Sequence, residues 1–184
     1  VNDFCRFSKF IFFLVIKFNF KYFARRVRAL ILSPTRELAA QIHENILAYA
    51  RGLHLSTAVI FGGVGYAPQF KELAGGLDIL VATPGRLIDH LERRTVSLDS
   101  VETLILDEAD HMLDMGFAPA LKKIVSRIPE KRHTQMFSAT MPENIRQLAQ
   151  TLLQEPETVR VSPPSSTADR VEQFLCMVGS QAEK

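Results

Sequence analysis

Four residues, Thr103-Leu104-Ile105-Leu106, constrain the fold of this chain more than any others, because Asp107-Glu108-Ala109-Asp110 follows them directly. A short, uninterrupted apolar run has the composition of a strand buried on both faces, the situation of a parallel sheet covered by helices. Acids placed just after it emerge at the strand's carboxyl end, the edge where open α/β sheets bind ligands. Acids follow strands often, so the tetrapeptide gains its weight from its surroundings.

Those surroundings repeat the same unit. Strands are predicted at Arg28 to Ser33, Leu55 to Phe61, Asp78 to Ala82, Thr103 to Asp107, Thr134 to Ser138 and Thr158 to Val161. Between them, helical periodicity runs over Thr35 to Arg51, Pro68 to Leu73, Gly85 to Arg93, Pro119 to Arg127 and Glu143 to Leu153. In the first of these helices Leu38, Ile42, Ile46 and Tyr49 recur at helical spacing, which turns one face inward. Gly52 stops it. Strands alternating with helices predict an α/β fold with a mostly parallel sheet and helices on both faces. Right-handed crossovers would gather all strand carboxyl ends on one edge.

With 184 residues, 47% of them apolar, the chain is long enough for one complete core. Its net charge of +2 is unevenly distributed. Residues 1–28 hold seven Lys/Arg and one Asp, whereas the remaining 156 carry a balance of −4. Bulk charge therefore makes no case for nucleic acid, and any such contact must come from local geometry. Cys5 and Cys176 lie far apart and outside every motif. This argues against a disulfide framework or a zinc site and suits a reducing cytoplasm. His43, His54, His90, His111 and His133 lack metal-cluster spacing. Lys122-Lys123 and Lys131-Arg132 read as solvated charges, and Met112 and Met115 as core filler.

Four further signatures stand in order around the acids. Upstream are Pro34-Thr35-Arg36-Glu37-Leu38-Ala39-Ala40-Gln41, then Gly62-Gly63, then Thr83-Pro84-Gly85-Arg86; downstream is Ser138-Ala139-Thr140. With these motifs the chain resembles the first RecA-like domain of a DEAD-box ATP-dependent RNA helicase, from about Val27 to about Val178. Leu113-Asp114-Met115-Gly116-Phe117 and Thr167-Ala168-Asp169-Arg170-Val171 are similar to the bacterial RhlE-like branch.

The resemblance implies ATP and Mg²⁺ as cofactors and RNA as partner. Asp107 would bind Mg²⁺, usually through water, and Glu108 would position the attacking water. Transfer of a γ-phosphoryl group needs charge neutralisation and an in-line nucleophile, which such a pair of carboxylates can help provide. Asp110 is expected to pair with Ser138 and Thr140 on either side of Ala139, a coupling between hydrolysis and unwinding in the family. The plainer alternative is that Glu108 to Asp110 favours a helix start and that Ser138 or Thr140 caps the helix opened by Pro142.

Pro34, Thr35, Arg36 and Glu37 place a hydroxyl, a guanidinium and free N–H groups at a helix start, which suits an RNA phosphate. The local alternative makes Thr35 an N-cap and Arg36–Glu37 an ion pair. Gly62 and Gly63 permit close approach of a sugar-phosphate chain, or form a plain turn. Thr83, Pro84, Gly85 and Arg86 again join a strand end to a helix start, with Arg86 available to a phosphate. Together these motifs would follow single-stranded RNA along its backbone without reading bases.

Against the family pattern, the chain holds no Gly-rich loop ending in Gly-Lys-Thr and no adenine-reading Gln segment before the strand at Arg28. The expected organisation is an atypical Phe- and Lys-rich segment at 1–26, a partial RecA-like domain at 27–161 and a Pro- and Ser-rich linker at 162–170. The start of a second RecA-like domain, otherwise missing, follows at 171–184. In segment 1–26 the longest apolar run, Phe10 to Ile16, is far short of the ~20 residues of a membrane span. A signal or anchor, a gene-model replacement of the natural start and a divergent extension all stay open for it. Phe10 to Ile16 is also a candidate surrogate strand for the slot of the missing one. The reading is thus a monomeric cytoplasmic helicase fragment, inactive alone. Its alternatives are a non-catalytic RNA-backbone-binding module and a doubly wound domain for protein interaction only.

Overall fold

The computed structural model describes residues 26–159 of the chain. Two compact units divide the chain at Gln154 and Glu155, and among the described residues every regular element lies in the first. In chain order these are β1 (Ala29–Leu32), α1 (Arg36–Tyr49), β2 (Thr57–Ile60), α2 (Tyr66–Ala74), β3 (Ile79–Ala82) and α3 (Pro84–Glu92). They continue with β4 (Thr103–Leu106), α4 (Ala109–Asp114), α5 (Ala118–Val125), β5 (His133–Met136) and α6 (Glu143–Leu152).

The five strands form one sheet in the order β2-β3-β1-β4-β5, with every pair parallel. β1, β3 and β4 are buried along their whole length, because both of their faces are covered. Alternate residues separate cleanly between two cores. Leu30, Leu32, Leu80, Ala82, Leu104 and Leu106 pack with Leu87 of α3, Met112 of α4 and Leu121 and Ile124 of α5. On the other face, Ala29, Ile31, Ile79, Val81 and Ile105 pack against Ala39, Ile42 and Ile46 of α1. Helices therefore cover both faces, and the expected α/β RecA-like layering is the observed one.

Register fixes where the motifs lie. Leu32 pairs with both Ala82 and Leu106, Ile60 pairs with Ala82, and Leu106 pairs with Met136. The five last strand residues thus form one row, and each motif begins in the residues just beyond it. Backbone bonds continue the row: Asp107 N–H donates to the Leu32 carbonyl at 3.0 Å, Ser33 N–H to Ala82 at 3.1 Å, and Phe137 N–H to Leu106 at 2.8 Å.

Differences from the sequence reading are local. α2 begins at Tyr66 rather than Pro68, since a proline is tolerated in the first turn of a helix. α4 is an additional six-residue helix starting immediately after Glu108, too short to show periodicity in the sequence. Thr158 and Val159 carry no strand, and the rest of the strand expected there lies outside the described residues. Outside them also fall Cys5, Cys176, the segment Phe10 to Ile16, the linker and the final segment. Among the described residues nothing pairs with the outer side of β5, which is polar and only partly buried. No helix among them is long and apolar enough to cross a membrane.

Leu30 sits at the centre of the sheet with no exposure, whereas Leu47 on α1 is 50% exposed. Leu30→Ala should lower unfolding free energy by about 2–5 kcal/mol in urea titrations. Leu47→Ala should change it by no more than about 0.5 kcal/mol.

Candidate functional site

The rim beyond the strand ends is built first around β4 and β5. The Asp107 carboxylate accepts a hydrogen bond from the Glu108 N–H at 3.1 Å and has no cationic partner among the described residues. Burial, the neighbouring Glu108 charge and the weak compensation of that one N–H push its pKa up from 3.8 to about 7. Glu108 is half exposed and left-handed, with φ 50° and ψ 54°. Few residues other than glycine adopt that conformation, and it turns the chain sharply into α4. Its carboxylate stands 3.4 Å from His111 Nδ1.

Three residues on, the environment reverses. Burial raises the Asp110 carboxyl, but hydrogen bonds from the Thr140 hydroxyl and N–H and from the His111 N–H, with a smaller contribution from the nearby Ser138 hydroxyl, outweigh it, and the net shift is downward. The Thr140 bonds are 2.8 Å and 2.9 Å to one Asp110 oxygen. Ser138 Oγ donates instead to the Thr140 carbonyl at 2.8 Å and so closes the turn around Ala139. Ala109 N–H reaches the Phe137 carbonyl at 2.9 Å, which binds the two loops together. The expected pairing of Asp110 is therefore direct with Thr140, while Ser138 braces the loop.

The other three motifs meet on the β1, β2 and β3 side. Thr35 is the N-cap of α1, its hydroxyl accepting from the Leu38 N–H at 3.2 Å. The Arg36 guanidinium is exposed, lies 3.5 Å from Glu37 and spreads across Gly63. Gly63 has φ +79°, so the backbone favours glycine there, and a Cβ would come within 2.6 Å of Arg36 Nη1 and push that guanidinium aside. Pro34, Thr83 and Pro84 are buried; of Thr83 to Arg86 only Gly85 is exposed.

Arg86 departs from the expectation of a cation held out to phosphate. Its side chain is 7% exposed, and its guanidinium donates to Gln69 Oε1 at 3.1 Å and to the Val64 carbonyl at 2.8 Å. It also lies 4.2 Å from the centre of the Tyr66 ring and 3.9 Å from Asp89. The planar fork finds enough partners inside the fold to be held there. Sequence reasoning missed Gln69 and assigned no role to His90, although both are buried in this network. A Gln and a His at the buried stripes of α2 and α3 were the available signal.

The residues present fit a bound divalent cation in one respect: Asp107 is a partly buried carboxylate beside a second acid, with no ion-pair partner among the described residues. Among the described residues no cluster of three His, Cys, Asp or Glu could hold a metal alone. That suits Mg²⁺, which commonly takes one or two carboxylates and fills its remaining positions with water and phosphate oxygens.

Since the folded-state pKa of Asp107 is raised, the native protein holds an extra proton between pH 3.8 and about 7. Native stability from this group is therefore greatest at the acid end of that window, declines as pH rises through it and levels off above about 7. Asp107→Asn should abolish that decline, so the variant gains on wild type between pH 5 and pH 8 in metal-free urea unfolding.

The sequence model of the DEAD/DEAH box helicase family matches residues 10–148, beginning within the Phe-rich segment. The chain is 42% identical over 155 residues to the ATP-dependent RNA helicase CshA of Listeria monocytogenes, covering 84% of this chain and 30% of that protein. Similarity to the ATP-dependent RNA helicase CshA of Limosilactobacillus reuteri is 44% over 148 residues, 80% of this chain and 30% of the relative. With the DEAD-box ATP-dependent RNA helicase 46 of Arabidopsis thaliana, identity is 50% over 132 residues, 72% of this chain and 20% of the relative. The chain thus spans at most 30% of the length of these relatives. From the matched residues, the shared motifs and the parallel sheet that aligns them, the chain belongs to the DEAD/DEAH box helicase family.

Proposed function

We propose that this chain is part of an ATP-dependent RNA helicase, acting in the cytoplasm as a monomer on the RNA sugar-phosphate backbone. The observation that carries the reading is the row of strand ends, which brings Asp107-Glu108 and Ser138–Thr140 beside Arg36, Gly63 and Gly85 on one rim. Asp107 would hold Mg²⁺ through water once deprotonated. The ion would supply charge neutralisation on the phosphates of ATP. Glu108, half exposed and fixed by its backbone turn, is suited to orient a water or accept its proton. Asp110 and Thr140 form the mechanical link between the carboxylate turn and the β5 loop.

On the RNA side, the helix starts of α1 and α3 offer free N–H groups, and Gly63 and Gly85 allow a phosphate to approach the backbone. Arg36 is an exposed cation lying against Gly63, while Arg86 supports the loop from inside. Such contacts favour any single strand over a particular sequence.

The 184 residues hold no Gly-Lys-Thr phosphate loop, and this favours a second statement: the chain alone binds RNA without hydrolysing ATP. Phosphate release with RNA and Mg²⁺ should be no faster than in a Glu108→Gln control, and turnover well above that control would sink this statement. Binding of a single-stranded oligonucleotide should weaken with salt, and Arg36→Ala should make the logarithmic salt slope shallower by about 1. A salt slope near zero for wild type would remove the RNA reading and leave protein interaction.

A further inference from the structure

We propose that Gln69, which belongs to none of the sequence motifs, is a positioning residue for the RNA-facing glycine loop, a role that rests on the RNA reading above. Gln69 is 4% exposed, and each polar atom of its amide is engaged. Nε2 donates to the Phe61 carbonyl at 3.0 Å. Oε1 accepts from Arg86 Nη1 at 3.1 Å and faces His90 Nε2 at 3.0 Å. These neighbours fix the amide orientation, because a carbonyl can only accept and a guanidinium can only donate. His90 Nε2 then carries the proton given to Gln69, and His90 Nδ1 is anchored 2.8 Å from Thr95 Oγ1.

Arg86 completes the clamp. Its Nη2 donates to the Val64 carbonyl at 2.8 Å, so the Phe61 and Val64 carbonyls are both held from beneath. Between those two carbonyls stand Gly62 and Gly63, and the Arg36 guanidinium lies on Gly63. One chain of contacts therefore runs from α3 through Gln69 to the glycine loop and on to the start of α1. It joins all three RNA-facing motifs. A loop of two glycines is intrinsically loose, and a buried amide tied to an arginine and a histidine is a means of holding it in one conformation. Arg86, which was expected to touch phosphate, instead supports the surface that does.

Gln69→Glu separates the parts of the clamp. The carboxylate keeps side-chain volume and still accepts from Arg86 and His90, but it cannot donate to the Phe61 carbonyl. In the 184-residue chain, backbone ¹⁵N order parameters at Gly62 to Gly65 should fall from about 0.85 to below about 0.6, with the strands unchanged. Affinity for a fluorescein-labelled decauridylate should weaken about tenfold. Arg86→Lys, which loses the fork, should do the same. Ile128→Val, a core change in a buried residue outside the rim motifs, should lower thermal stability and leave both readouts alone. Gln69→Met serves if Gln69→Glu does not fold. Wild-type order parameters and affinity in the Gln69 and Arg86 variants would overturn the proposal, as would RNA loss tracking stability in all variants, Ile128→Val included. If wild type itself binds no decauridylate, the RNA reading fails, and the order parameters alone decide whether Gln69 holds the loop.

Discussion

Flush pairing of the five parallel strands is the constraint on which everything else rests. Parallel strands cannot be joined by tight turns, so each crossover carries a helix, and each helix must start beyond a strand end. With Leu32, Ile60, Ala82, Leu106 and Met136 aligned in one row, five separate pieces of sequence meet along one edge. The alignment is itself enforced by packing. A shift of one residue along β1 would exchange Leu30 and Leu32 for Ala29 and Ile31 and mismatch both cores at once.

Along that edge, chemical character is set by neighbours rather than by residue type. Asp107 and Asp110 are the same amino acid three positions apart, on either side of one left-handed residue. The first faces burial and a like charge with a single N–H donor, and its acid strength drops. The second receives donors from two loops, and its acid strength rises. A carboxyl whose pKa is raised toward neutrality thus sits beside one held ionised as a structural tie.

Much of this was legible in the sequence. Apolar runs such as Leu104-Ile105-Leu106 announced strands covered on both faces, and the acids and hydroxyls after them announced the rim. The extent of α4 was not legible, since six residues contain too few turns for a periodic signal, although the acids Glu108 to Asp110 also read as a helix start. The inward direction of Arg86 was not legible because a strand-end arginine before a helix looks the same whether it faces solvent or turns inward. Its direction depends on Gln69 and Val64, which are distant in sequence. Gln69 itself was invisible for the same reason: its role is defined only by the carbonyl and guanidinium that the fold brings to it.

The left-handed backbone at Glu108 has a further meaning. Glycine would relieve the torsional stress there at no steric cost, and asparagine would come close. A long acidic side chain is among the less comfortable occupants of that conformation, and it is the one present. At this position conformational ease alone would choose a different amino acid. A drift toward robustness would erase the carboxylate first.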